Sequence, residues 1–266
     1  MSWAMFRHAL RDLRWTVFWY ALGLLLYGMM ILSFYPTVRD NAKMMEQYMK
    51  ALPKALMEAF GVTDMASLPG FIGGEYLNLM WPLIASVFLI MAGTATVARE
   101  IERGTIELLL SVPESRTKLL MGKLAAFLAG ILVLVSVTVG ALALGALLVD
   151  ETLKLENLLA LGAVLVSFSV AVGGYSVLFS SFSKERGKAG GMAAGLTLAF
   201  YLAWVVSGLS KDWKWLKNVS IFTAYEPQRA LQSGHLELSQ LGSLVGVGLA
   251  CVVAAIVIFR RRDAAP

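Results

Sequence analysis

The 266-residue chain is poor in cysteine, in histidine and in charge, and each shortage excludes a kind of chemistry. Cys251 is the only cysteine and sits inside an apolar run, so no intrachain disulfide can form. His8 and His235 are the only histidines, both in polar segments and far apart. That leaves no zinc cluster and no Ser/His nucleophile at membrane depth, and no metal is expected. A nucleotide loop is missing as well. Gly122-Lys123 and Gly187-Lys188 are followed by Leu124 and Ala189, and neither has a glycine five residues before its own glycine. What abounds is hydrophobicity: 58% of residues are hydrophobic, 15% are charged and the mean hydropathy is +0.70, a balance that belongs to membrane proteins.

The apolar residues gather into six runs, at about 15–35, 76–98, 124–149, 158–182, 189–209 and 241–259. A hydrocarbon core of about 30 Å takes roughly 20 helical residues. Lipid offers nothing to bond backbone polar groups, so runs of this length must be helices, and barrel strands would be shorter and alternating. The expected fold is all-α and polytopic, one permease-sized domain over 1–266 with six transmembrane helices. The first run is expected to be retained rather than cleaved as a signal peptide. No ionisable side chain lies in the interior of a run, which counts against a proton-driven carrier. Serines such as Ser136, Ser167, Ser169 and Ser176 are expected to bond their own or neighbouring helices.

The flanks orient the chain. Lysine and arginine are denser in the first, third, fifth and seventh polar segments than in the other three, which places both termini in the cytoplasm. Residues 1–14 carry Trp3, Phe6, Leu10 and Leu13 on one side and Arg7, Arg11 and Arg14 on the other. This suits either an amphipathic helix lying on the cytoplasmic lipid surface or a basic flank that sets topology. Two longer outer loops are expected, 36–75 and 210–240. The second places Leu209, Trp213, Leu216 and Val219 on one helical face, with Tyr225-Glu226-Pro227 as a break. Its periodicity fits a segment on the surface or one that dips inward. Gly191 with Gly195, and Gly242 with Gly246, have the spacing that lets helices approach, within the subunit or between subunits.

Between the second and third runs lies REIERGTIELLLSVPESRTKLLMGKL, from Arg99 to Leu124. The spacing predicts that residues 99–110 continue the second span as a charged helix. Ser111-Val112-Pro113 would stop it, and a short helix would lead into the third span. On the residues alone this is either a protruding hairpin, 99–123, or a solvated loop with ordinary ion pairs.

The string from Glu102 to Arg116, followed by Lys118 to Lys123, resembles the signature of ABC-2 type transporter permeases: an acid, Gly-Thr, an acid, two leucines, Ser-x-Pro and Ser-Arg, then Gly-Lys. The phrase around Tyr225-Glu226-Pro227 resembles the family more faintly. The resemblance implies the membrane subunit of an ATP-binding cassette exporter, paired with a second permease subunit as a homodimer and with separate ATPase subunits that bind ATP and Mg. It implies an ATPase-coupling surface at Arg99, Glu100, Glu102, Arg103, Gly104, Thr105, Glu107, Ser111, Pro113 and Arg116. The chain itself would hold no cofactor and no ATPase site. Membrane lipid is its other expected partner, no nucleic-acid partner is expected, and the expected location is a prokaryotic plasma membrane. An ATP-independent carrier, or a scaffold or sensor subunit, are the alternatives.

Overall fold

A computed structural model describes residues 2–41, 44, 67–104, 115–209 and 211–261. Among these there is no strand, and six helices are long and apolar enough to cross a membrane. The elements in order are α1 (Trp3–Asp40), α2 (Leu68–Ile72), a π-helix (Gly73–Met80), α3 (Trp81–Thr94), α4 (Ala98–Glu102), α5 (Arg116–Leu148), α6 (Leu155–Phe182) and α7 (Arg186–Leu209). Two 3-10 helices (Lys211–Asn218 and Ile221–Thr223), α8 (Pro227–Ser233) and α9 (Leu238–Arg261) complete the chain. With six crossings, residues 95–104, Ser115 and the 183–185 connection lie at the same end as Ser2 and Arg261. The 149–154 turn and residues 211–237 lie at the opposite end.

Three expected boundaries are corrected. Residues 1–14 do not form a separate helix: α1 is unbroken through its 38 residues, about 57 Å at 1.5 Å per residue. Nothing between Leu13 and Thr16 breaks a helix, and the first turns already pack on α5. The Ser2 amide donates to the Lys118 carbonyl, and Met5 rests on Gly122. The pairing continues with Val17 at Gly130 and Leu32 at Gly145, so α1 and α5 run parallel along their length. Arg7, Arg11 and Arg14 are exposed on the outer side of this upright helix. The same helix passes through Pro36 instead of ending before it.

The second span starts earlier than expected, at Leu68, and is composite. Pro82 has no N–H for the carbonyl four residues back and its ring crowds that turn. The π-helix just before it widens the backbone there. Two tyrosines brace the widened turn: the Tyr76 hydroxyl donates to the Leu24 carbonyl at 2.9 Å and the Tyr225 hydroxyl to the Leu77 carbonyl at 2.8 Å.

Helix α6 is the axis of the bundle. Of its most apolar window 72% is buried, against 11% for α7 and 17% for α9, which lie at the periphery. α9 crosses α6 backbone to backbone, since a Cβ on Gly174 would fall 2.4 Å from the Gly248 carbonyl oxygen. Phe127 lies over Gly173, and Ser176 presses on Gly93. The expected packing glycines are not those used inside the subunit: Gly191, Gly195, Gly242 and Gly246 face open space. They lie on the sides of α7 and α9 turned away from α6.

Residues 221–225 turn inward. Phe222 and Tyr225 join Trp81 and Phe168 in a buried aromatic cluster, with Phe168 and Tyr225 ring centres 4.5 Å apart. Pro227 then opens α8, whose end is held on α6 by Asn157 donating to the Leu231 carbonyl at 2.8 Å. The Trp213 and Trp215 side chains of the preceding 3-10 helix stay exposed, as interfacial anchors do. Of the first outer loop, residues 42–43 and 45–66 lie outside the described residues.

Candidate functional site

The sequence places its chemistry at the end that carries the termini, and the geometry there turns on a break in the backbone. The charged helix expected over residues 99–110 is set off from the second span by a bend, and its residues 105–110 lie outside the described residues. α3 stops at Thr94, the chain bends through residues 95–97, and the short α4 ends at Arg103 and Gly104. Gly104 has φ +67°, a left-handed conformation that ends the helix and that glycine adopts without steric cost.

A bend in a buried backbone leaves amides without partners, and Ser180 of α6 supplies them. Its Oγ accepts from the Val97 amide at 3.1 Å and from the Ala98 amide at 2.9 Å, and donates to the Thr94 carbonyl at 2.7 Å. Ser180 and Ala98 are fully buried and Val97 nearly so. One hydroxyl thus closes the elbow between α3 and α4. Ser167, Ser169 and Ser176, by contrast, donate to carbonyls four residues back in their own helix, the role expected of them.

Three charged contacts fix α4 to the rest of the bundle. Arg99 Nη2 lies 3.2 Å from Asp12 Oδ2 of α1. Lys123 of α5 places Nζ 2.9 Å from Glu100 Oε1 and 3.0 Å from the Thr96 carbonyl. Glu102 Oε2 accepts from the Arg186 amide at 3.0 Å, which satisfies an open donor in the first turn of α7 and opposes its positive dipole end. Arg186 Nη2 in turn donates to the Met91 carbonyl of α3 at 3.1 Å. α4 is therefore bonded to α1, α5, α6 and α7, although it is only five residues long.

The expected coupling residues divide accordingly. Arg99, Glu100 and Glu102 are structural contacts of α4, while Arg103 and Gly104 are exposed at its end. Arg116 opens α5, with Ser115 as N-cap accepting from the Lys118 amide. Thr105, Glu107, Ser111 and Pro113 lie outside the described residues. Asp12, Lys123, Ser180 and Arg186 were not among the expected coupling residues. Asp12 carried a signal, as the one acid in an otherwise basic first segment. Ser180 carried none.

Beside α4 lies a cavity of about 110 Å³, lined by Asp12, Arg99, Glu100, Lys123 and Arg186 over an apolar base that includes Leu13 and Phe127. Among the described residues no group of three histidine, cysteine, aspartate or glutamate side chains could hold a metal ion. The arrangement is a short charged helix bonded to four long ones. No curated protein matches the sequence. A family model described as "ABC-2 family transporter protein" matches residues 3–264, nearly the whole length. The chain belongs to the ABC-2 family of transporter proteins and is a multi-pass membrane subunit with six apolar helices.

Proposed function

We propose that this chain is the permease subunit of an ATP-driven exporter, with ATP and Mg bound by separate ATPase subunits. The observation that carries the reading is the attachment of α4 to four helices at once. The loop over residues 103–115 leaves from α4 and returns at α5, so a force applied to that loop enters the bundle through the lever. ATP-driven closure of the partner dimer displaces α4. Ser180 and Lys123 pass the displacement to α6 and α5, and access switches by a small shear of packed helices. Both termini and this loop then face the cytoplasm, as the density of lysine and arginine argues.

A second copy completes the path as a homodimer, and the open glycine faces of α7 and α9 suit a close protein neighbour. The substrate class that fits a bundle without intramembrane charge is amphipathic or hydrophobic. The location is a prokaryotic plasma membrane.

The test is affinity purification of the full chain from its native membrane in mild detergent, followed by identification of co-purifying chains. The expected result is a Walker-motif ATPase, lost on Arg103→Glu with Glu107→Arg. Glu102 is unsuitable for this reversal because its carboxylate holds α7. Recovery of the chain alone, in several detergents and in nanodiscs, overturns the reading.

A further inference from the structure

The guanidinium groups of Arg99 and Arg186 both line the cavity beside α4. Arg99 and Arg103 are near enough to Arg186 to repel it, and Glu102 is the carboxylate set against them. That carboxylate is occupied by the Arg186 amide, and Asp12 and Glu100 are engaged by Arg99 and Lys123. Among the described residues no carboxylate lies within ion-pair distance of the Arg103 or Arg186 guanidinium. Arg99 adds a sharper deficit: its Nε is buried and has no acceptor among the described residues. A guanidinium donor that is desolvated and unanswered is costly, and an oxyanion would answer it.

The position says which oxyanion. Arg186 is the first residue of a span, and Lys123 directly precedes the apolar run 124–149, so the cavity stands where hydrocarbon meets head groups. Leu13 and Phe127 lie in its lining, as does Met91, which is 42% exposed and accepts from the Tyr20 hydroxyl at 3.4 Å. Trp15, Phe18 and Trp19 are exposed on the neighbouring length of α1, an aromatic belt of the kind that settles at the interface. At about 110 Å³ the cavity takes a compact phosphate group, against about 30 Å³ for a water, and leaves acyl chains outside on the apolar surface.

We infer that Arg99 and Arg186 form a binding site for the phosphate of an anionic phospholipid, seated between α1, α4 and the start of α7. The inference rests on the membrane placement of the chain and not on its coupling to an ATPase. Bound there, the lipid bridges the lever to α1 and α7 and steadies the elbow, so the composition of that leaflet tunes how easily α4 moves.

The experiment is native mass spectrometry of the full chain in a neutral detergent, titrated with phosphatidylglycerol or with phosphatidylcholine of the same acyl chains. One phosphatidylglycerol is expected to be retained per chain, in preference to phosphatidylcholine. Arg186→Gln is expected to weaken retention about fivefold, the effect of one basic residue at an anionic surface, while Arg186→Lys keeps the charge and most of the retention. Arg260→Gln with Arg261→Gln, on α9, is expected to leave retention unchanged. Equal retention of the two lipids overturns the inference, as does an equal loss in the α9 variant. Displacement of the lipid by millimolar inorganic phosphate also overturns it, because the site is then one for a free oxyanion.

Discussion

Replacing Ser180 with alanine removes one oxygen and leaves three backbone groups without their partner. The Val97 and Ala98 amides lose their acceptor and the Thr94 carbonyl loses its donor, all in a region closed to water. An unanswered buried donor costs about 1–3 kcal/mol, so the two amides together cost roughly 2–6 kcal/mol unless the elbow opens. Opening is the cheaper response, and it shows as faster hydrogen exchange at residues 97 and 98. A loss of even about 2 kcal/mol in local stability speeds exchange about thirtyfold. Ser176→Ala is the matched control, because Ser176 Oγ donates to a carbonyl of its own helix that keeps its backbone bond. The assay is hydrogen exchange with mass spectrometry on both variants in one detergent, using peptides that span residues 92–104. If Ser180→Ala leaves those peptides as protected as Ser176→Ala does, the hydroxyl does not close the elbow and α4 is not held as a lever through α6.

Three further outcomes test other parts of the structure. Gly248→Ala sets a Cβ 2.3 Å from the Val170 carbonyl oxygen and should cost about 1–3 kcal/mol or more by overpacking, whereas Gly191→Ala meets open space inside a helix and should leave the isolated chain as stable or up to about 1 kcal/mol more stable. Thermal unfolding read by size-exclusion yield separates the two. Lys123→Met removes the ammonium from Glu100 Oε1 in a site where both side chains are mostly buried, and should destabilise by up to about 3–5 kcal/mol. Adding Glu100→Met should restore most of that loss, and a double-mutant cycle on the melting temperature reads the coupling. Tyr225→Phe removes the donor to the Leu77 carbonyl in the π-helix and should cost about 1 kcal/mol, with a change in Trp81 fluorescence because the two rings stack. An unchanged spectrum and melting temperature would show that this hydroxyl does not brace the π-helix.

Much of the architecture was legible in the order of the residues. The six runs correspond to six helices, since a long apolar segment in lipid has only one way to satisfy its backbone. The Gly-Thr and Ser-x-Pro string pointed to the family that the match over residues 3–264 shows. Boundaries shifted where packing outlasted the apolar run. α1 begins twelve residues before its run because Met5 has Gly122 to rest on, and it passes Pro36, which the sequence marked as a stop. The second span failed as a single helix for the opposite reason, because a serine 83 residues away from Val97 satisfies the amides that a bend in the backbone exposes.

The sequence by itself determined the properties that one chain has in one solvent: span number, helical class, the density of positive charge on the flanks and the charged loop. The tertiary structure alone decided which groups distant in sequence meet across helix faces. Gly174 and Gly248 rather than Gly191 and Gly195 carry close packing within the subunit, because α9 crosses α6 at those residues and α7 turns its glycines outward. Ser180, Lys123 and Asp12 acquired their roles only when α6, α5 and α1 were brought around α4, for a side chain's hydrogen-bonding partner is set by the helix opposite and not by its neighbours in sequence.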